Sequence, residues 1–453
     1  MATSRRDFLR RSGCAAASAA AFASGLHKFG MVAAYAHGTV PATDYKALVC
    51  VFLDGGNDAW NTIVSIDDYA SYAQMRGTFA LPQETLLPIR PRSDMRQFGL
   101  HPNLSGLKAL FDQQRLAILC NLGTLTRPLT RAEYLAQSSL RPPNLFSHSD
   151  QVAQWQAASA SQPLPTGWGG TMGDHTTGLN GTATFPLIVS VAGSNLFGIG
   201  QNVVPYQISS SGSVALRGFS NTVENNIRYA GMQQLLAIDR EHPFVATASD
   251  ILTKAINNDA QLVQALNTAP PVATVFPNTS FGQQLRTIAR LISARNVLNM
   301  KRQVFFCRLG GFDTHAAQLG AQASLFASLD ASLSAFYAAT LEMGVADSVV
   351  AFTNSDFGRT YKFNDDGTDH AWGSCQMVLG GPVIGGDFYG LWPTLALGGP
   401  DDTGNDFGRF IPTTSVDQYC ATLARWFGLE AAEMPLVFPF IGRFASSNLG
   451  FLP

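Results

Sequence analysis

Residues 47–58 read ALVCVFLDGGND, and this stretch decides the fold class. The run from Ala47 to Leu53 is apolar without a break, but it is short for a helix. Such a run is typical of a strand that is buried on both faces. Asp54 and two glycines then form a polar turn. A strand of this kind belongs to a parallel sheet that carries helices on both sides.

Three further segments repeat this pattern of an apolar run followed by a polar, glycine-containing turn. They are Arg115–Leu122 before GTLT, Gln303–Leu309 before GGFDTH and Ser348–Asn354 before SDFGRT. Apolar residues recur at helical spacing before the last two runs, at positions 285–292 and 325–341. This alternation of helix and strand predicts an α/β fold with a mostly parallel sheet sandwiched by helices.

Residues 182–276 interrupt the alternation. Their first part, 182–221, is rich in Gly, Ser, Val and Phe, which indicates β hairpins or long loops. Their last part, 241–276, is helical in pattern and then rich in proline. We expect an inserted cap of β, loop and helical segments on one domain that spans residues 37–453.

The first 36 residues are predicted to be an export signal. SRRDFL at residues 4–9 resembles a twin-arginine (Tat) motif, and an alanine-rich apolar run follows it. Ala34-Tyr35-Ala36 then supplies a small-x-small cleavage site. The alternative is an ordinary amphipathic helix. The signal predicts a periplasmic or secreted protein whose partner during export is the twin-arginine translocation machinery.

Composition excludes several classes of protein. The chain has 453 residues, 46% of them hydrophobic, so it forms a large core rather than a disordered chain. Its 30 basic and 32 acidic residues offer no basic surface for nucleic acid. No apolar run is long enough for a transmembrane segment in the mature chain. The cysteine spacing indicates no disulfide framework, although a single Cys375–Cys420 pair stays open.

Acidic residues and histidines follow three of the four predicted strands. Asp54 follows the first, Asp313 and His315 follow the third, and Asp356 follows the fourth, with His370 further on. Parallel strands end at one edge of a sheet, so we expect these side chains to lie close together. Carboxylates and imidazoles are ligands of divalent ions such as zinc or manganese. Each residue taken alone also fits a turn or a helix cap.

A candidate nucleophile lies in PPNLFSHSD, residues 142–150, just before a predicted helix. The hydroxyl of Ser147 or Ser149 would lie near the positive end of the helix dipole, which favours an ionised oxygen. The alternative is that either serine only caps the helix. His148 is a candidate further metal ligand. Arg359 is a candidate for binding an anionic group, or for pairing with one of the acids.

The chain resembles a bacterial family of Tat-exported proteins, the domain of unknown function 1501 (DUF1501). The resemblance covers nearly the whole mature chain and implies an alkaline phosphatase-like fold, which sulfatases and cofactor-independent phosphoglycerate mutases share. The segments that carry it are SRRDFLR, VFLDGGNDAWNT, HPNLSGLKALFD, RLAILCNLGTLTRPLTRAEY, SHSDQ, GGFDTH, SDFGRT, GTDHAWG with GGPVIGG, and PTTSVDQYCATLARWFGL.

That superfamily holds its metals with side chains in a set order: an Asp, a nucleophile at a helix start, an Asp…His pair, an Asp-His pair and a final His. The matching positions here are, in turn, Asp54, Ser147, Asp313 with His315, Asp356 and His370. The resemblance implies one or two divalent ions. The first would be bound by Asp313, His315 and His370, and the second by Asp54 and Asp356.

The chain departs from the superfamily pattern at two places. Phe357 stands where the Asp-His pair has its imidazole, and a phenyl ring cannot bind a metal. Asp313 and His315 are separated by one residue, whereas the superfamily usually has three. His148 is the candidate that would replace the missing imidazole.

Two functions follow from these observations. The first is an exported metal-dependent hydrolase of phosphate or sulfate esters, in which Ser147 attacks an anionic small-molecule or polymer ester and Arg359 holds the anionic group. The alternative is a non-catalytic exported protein, for binding or envelope assembly, that keeps the fold and at most a structural metal.

Overall fold

The computed structural model describes residues 40–161, 164–210, 222–238 and 240–453, so the predicted export signal lies outside the described residues. The helices are α1 Ala59–Thr62, α2 Tyr69–Arg76, α3 Ser105–Asp112, α4 Arg131–Ala136, α5 His148–Ala157, α6 Trp168–Thr176, α7 Val223–Leu236, α8 Pro243–Thr268, α9 Ser280–Ser293, α10 Gln318–Glu342, α11 Val416–Phe427 and α12 Met434–Val437. The strands are β1 Lys46–Asp54, β2 Ile63–Ser65, β3 Leu87–Ile89, β4 Phe98–Leu100, β5 Leu116–Gly123, β6 Ile188–Ser190, β7 Tyr206–Gln207, β8 Arg302–Gly310, β9 Val349–Ser355, β10 Ser374–Gly380, β11 Asp387–Tyr389 and β12 Thr414–Ser415.

Nine strands form the central sheet, in the order β11-β5-β10-β9-β1-β8-β6-β7, with β12 paired to β5. Every strand pair is parallel except the two that involve β10. The four apolar runs of the sequence are β1, β5, β8 and β9. The prediction of a mostly parallel sheet sandwiched by helices is therefore confirmed. A second, antiparallel sheet has the order β2-β4-β3.

The two faces of β1 explain why its sequence is apolar throughout. Val49 and Val51 belong to a core that α3, α9 and α10 cover. Leu48 and Phe52 belong to a core on the opposite face, which α5, α6 and α11 cover. Each large side chain buried in this way stabilises the fold by about 1.5–3 kcal/mol. No helix in these described ranges is both long enough and apolar enough to cross a bilayer.

The segment 182–276 differs from the inserted cap that the sequence predicts. Its residues Ile188–Ser190 form β6, which pairs in parallel with β8 inside the central sheet. Only three residues pair, so the run is too short to stand out in a pattern search. Helix α8 lies within residues 241–276, as the helical pattern there predicts, whereas α7 lies before that stretch and was not predicted.

The five cysteines of the described residues are buried and free. The Cys375–Cys420 disulfide that the sequence left open is therefore not formed. Burial raises the pKa of the Cys50 and Cys420 thiols well above the ordinary value. These cysteines act as small apolar core residues.

The turns that follow β1, β8 and β9 meet at one edge of the sheet. Asp54 pairs in register with Gly310, and Leu53 pairs with Ser355. Gly55 has a φ of 117°, and a Cβ there would lie 2.3 Å from the backbone nitrogen of Asp313. The glycine after β1 therefore lets two turns pack directly against each other.

Candidate metal centre

Three ligand atoms from three segments converge at this edge of the sheet. His148 Nε2 lies 3.1 Å from His370 Nε2 and 3.4 Å from Asp313 Oδ1, which lies 3.3 Å from His370 Nε2. Nitrogen and oxygen ligands bound at about 2.0–2.1 Å to a tetrahedral zinc ion lie about 3.3–3.4 Å from one another. The three atoms therefore match one face of such a coordination sphere, and a fourth position is left for a further ligand.

The hydrogen bonds of the two imidazoles point to a cation between them. His370 Nδ1 donates to the carbonyl oxygen of Phe146 at 2.8 Å, and His148 Nδ1 donates to Asp356 Oδ2 at 2.7 Å. A carbonyl or carboxylate oxygen only accepts, so in each neutral ring the proton is on Nδ1. Both Nε2 atoms then carry lone pairs that face each other. Metal-bound histidines have this arrangement, in which an outer partner fixes the tautomer.

His315 lies against the same group of atoms. Its Nε2 is 2.9 Å from His370 Nε2 and 3.0 Å from Asp313 Oδ1. Its Nδ1 lies 3.4 Å from Asp369 Oδ1. The structure therefore brings together four residues that the sequence selected: the triad of His148, Asp313 and His370, with His315 beside it as a candidate fourth ligand.

Of the two roles that the sequence allowed for Arg359, the structure shows the pairing with an acid. It is completely buried, and its guanidinium donates to Asp313 Oδ1 at 2.8 Å, to the Gly55 carbonyl at 3.3 Å and to Thr368 Oγ1 at 3.2 Å. Partial burial would raise the pKa of Asp313, but the hydrogen bond and charge of Arg359 outweigh this effect, and the pKa is lowered. Arg359 thus keeps Asp313 ionised and has no exposed surface for an anionic ligand.

Asp356 is not one of the converging ligands, contrary to the expectation from sequence. It is buried, and both of its oxygens are occupied: Oδ1 accepts from the Gly55 backbone N–H at 3.0 Å, and Oδ2 accepts from His148. The hydrogen bond that His148 donates to Asp356 raises the pKa of His148, while burial opposes this shift. Asp356 therefore orients the His148 ring.

The two acids expected to bind a second metal, Asp54 and Asp356, both have protein partners. Asp54 Oδ2 lies 3.4 Å from an Arg308 guanidinium nitrogen, and burial together with the charge of Asp356 raises the pKa of Asp54. The Phe357 ring lies 4.7 Å from the ring centres of both His148 and His370. Among the residues that the structure describes, His148, Asp313 and His370 form a group that could hold an ion, and His315 lies within reach of the same position.

Ser147 precedes the ligand His148 at the start of α5. Its hydroxyl makes no cap hydrogen bond, and it donates instead to Asp150 Oδ2 at 2.6 Å. It also lies 3.2 Å from Ser149 Oγ. The predicted position of Ser147 at the N-terminus of a helix is observed. Ser147 is adjacent in sequence to His148, one of the three candidate ligands.

Sequence reasoning missed two residues that hold His370. Phe146 has a φ of 72°, a conformation that is rare for a bulky residue, and its carbonyl accepts from His370 Nδ1. The Arg409 guanidinium lies 4.5 Å from the Phe146 ring centre, and its Nε donates to the His370 carbonyl at 2.8 Å. Nothing in the sequence around Phe146 signals a positive φ, since neighbouring contacts impose it.

The fold and the site define an α/β protein with a His/Asp centre at the carboxyl edge of a mostly parallel sheet. Residues 45–403 match the family model described as protein of unknown function (DUF1501). The chain therefore belongs to the DUF1501 family, which confirms the family resemblance. A comparison with curated proteins finds no match.

Several solved structures are similar to this chain at low identity and low TM-score. The PsFucS1 sulfatase from Pseudoalteromonas sp. is 9% identical with a TM-score of 0.31, over 85% of this chain and 68% of its own. The C-terminal periplasmic domain of EcEptC from Escherichia coli, in complex with Zn, is 8% identical with a TM-score of 0.28, over 75% and 73%. A mutant alkaline phosphatase PafA is 12% identical with a TM-score of 0.28, over 71% and 64%. At this level the likeness carries no conclusion about activity.

Proposed function

We propose that this protein is an exported, metal-dependent hydrolase of phosphate or sulfate esters. The observation that carries the proposal is the triad of His148, Asp313 and His370, whose ligand atoms lie 3.1–3.4 Å from one another. Imidazole and carboxylate ligands suit zinc, manganese and similar divalent ions. Such an ion would polarise a phosphoryl or sulfuryl oxygen and stabilise the charge that develops on it.

Ser147 is the proposed nucleophile. Its hydroxyl is hydrogen-bonded to Asp150, which is placed to accept the proton as Oγ attacks. The positive end of α5 favours negative charge on that oxygen. Oγ would form a bond to phosphorus or sulfur as the bond to the alcohol oxygen breaks, and water would then release the anion from Ser147. Arg359 acts through Asp313 and not on the substrate.

Export is part of the proposal because of the sequence of residues 1–36. The twin-arginine motif, the apolar run and the cleavage site support passage through the twin-arginine machinery into the periplasm or the medium. That route carries folded proteins, so a metal centre assembled from three distant segments would be complete before export. The substrate would be an anionic ester, either a small molecule or part of a polymer.

Metal analysis of wild-type protein and a His370→Ala variant tests the proposal. We expect about one zinc or manganese ion per wild-type chain and loss of the ion in the variant. His175→Ala is the matched control, because His175 pairs with Glu433 at 3.0 Å elsewhere. Turnover of aryl phosphates and aryl sulfates should then disappear in Ser147→Ala. An absence of metal from the wild-type protein would overturn the proposal.

One observation favours the alternative, a non-catalytic binding or envelope-associated protein. Helix α7 buries none of its side chains, and it presents Val223, Ile227 and Leu235 to solvent. Exposed apolar residues on one helix are typical of a surface that contacts another macromolecule. A stoichiometric metal without turnover of any phosphate, sulfate or phosphonate ester would favour this function, with the ion in a structural role.

A further inference from the structure

A cleft of about 270 Å³ opens beside the metal centre at the same edge of the sheet. Ser149, the residue after the ligand His148, lies in its wall. Asp54 lies in the wall as well. The next residue, Gly55, donates its backbone N–H to Asp356. The start of α5 thus contributes both to the triad, through His148, and to the cleft, through Ser149.

Part of the cleft lining is apolar. Phe52 and Phe306 lie at the cleft, but they are only 1% and 2% exposed. Val152 from α5 and Leu196 from the loop before β7 are more exposed and also line it. These aliphatic side chains favour an apolar guest.

The loop that carries Leu196 is held in place before any ligand binds. Gln156 Oε1 accepts from the backbone N–H groups of Leu196 at 2.8 Å and Phe197 at 3.0 Å. Gln156 belongs to α5, the same helix that starts at His148. One helix thus positions both a metal ligand and the wall of the cleft, and a preformed wall lowers the entropy cost of binding.

Arg308 supplies a positive charge at the cleft. Its side chain is 54% exposed, and its charged partner is Asp54 at 3.4 Å. Its backbone is fixed, because the Gln284 side chain accepts from the Arg308 N–H at 2.9 Å and donates to its carbonyl at 3.0 Å. The exposed Arg308 guanidinium is available to an anion, whereas the buried Arg359 guanidinium is not.

We propose that this cleft selects the substrate: it binds the alcohol part of the ester when that part is an aromatic or other apolar group, and Arg308 binds the anionic group. This inference rests on the proposed function, since the metal triad holds the ester's phosphoryl or sulfuryl end. Arg308 takes the anion-binding role that sequence reasoning gave to Arg359.

Calorimetric titration of zinc-loaded protein with two phosphonates tests the inference without turnover. Phenylphosphonate carries a ring for the cleft, and methylphosphonate does not. We expect the wild-type protein to bind phenylphosphonate about tenfold more tightly, from the apolar area that the ring buries. Val152→Ser should reduce that preference. Arg308→Gln should weaken both ligands about tenfold, while Arg286→Gln, at an exposed arginine on α9, should change neither.

Zinc binding is measured first, so that a failure of the proposed metal-dependent function can be distinguished from a failure of the cleft inference. Equal affinity of the wild-type protein for the two phosphonates would overturn the aromatic selection while the metal centre stands. Unchanged affinities in Arg308→Gln would overturn the role of Arg308. An absence of zinc binding would overturn the proposed function, and the cleft inference would fall with it.

Discussion

Replacing Asp356 by Asn is expected to lower zinc affinity by about 10–100-fold, or about 1.4–2.7 kcal/mol. In the wild-type protein one oxygen of Asp356 accepts from the Gly55 N–H, and the other accepts from His148 Nδ1. An Asn has one oxygen and one amide group. If the oxygen stays on the fixed Gly55 N–H, the amide faces His148 Nδ1 and requires that atom to accept. The His148 proton then moves to Nε2 and blocks the atom that faces the metal.

Competition between the protein and a chelator of known zinc affinity measures the effect. Nitrogen NMR of labelled histidine reports which atom of the His148 ring carries the proton. Asp112→Asn is the control, because Asp112 is a surface carboxylate that pairs with Lys108 four residues away. Wild-type zinc affinity in Asp356→Asn, together with an unprotonated His148 Nε2, would refute the tautomer argument.

Three further predictions concern the same edge and the core. Gly56→Ala should destabilise the fold by about 1–3 kcal/mol in urea unfolding, because Gly56 has a φ of 88° and a Cβ would lie 2.6 Å from the Phe357 ring. Phe357→His should leave the metal content at about one ion per chain by elemental analysis, since the acids expected to complete a second site are engaged elsewhere; two ions would contradict this assignment. Burial raises the pKa of Asp417 to about 7. The free energy of unfolding therefore contains a contribution from the neutral carboxyl that is fully present below about pH 4 and is lost as the pH rises to about 7. The stability of Asp417→Asn relative to wild type should therefore increase by up to about 4 kcal/mol between those pH values. Unfolding at several pH values measures this difference. A difference that stays constant with pH would refute the raised pKa of Asp417.

The central strands could be predicted because a strand that is buried on both faces is apolar along its whole length. β1, β5, β8 and β9 are long apolar runs that end in polar turns, and each is observed within two residues of its predicted bounds. β6 has only three residues, and β10 is antiparallel between two parallel strands. Their partners are distant in the chain, so local pattern does not reveal them.

The ligand residues could be selected from the sequence, but their individual roles could not. His148 lies among the converging ligand atoms, as predicted, whereas Asp356 lies behind it and accepts the hydrogen bond from its Nδ1. Arg359 is buried because its backbone bridges to His370, which turns the guanidinium toward Asp313. Both outcomes depend on side-chain directions that tertiary packing sets.

The distance between the ligands along the chain has a consequence for the whole protein. His148 and His370 are separated by 222 residues, and Asp313 lies between them. An ion held by all three would cross-link the start of α5 to the turn after β8 and the segment before β10. Closing such long loops removes conformational entropy from the unfolded chain, so a bound metal would raise the free energy of unfolding. Resistance to unfolding and metal content would then rise and fall together in this protein.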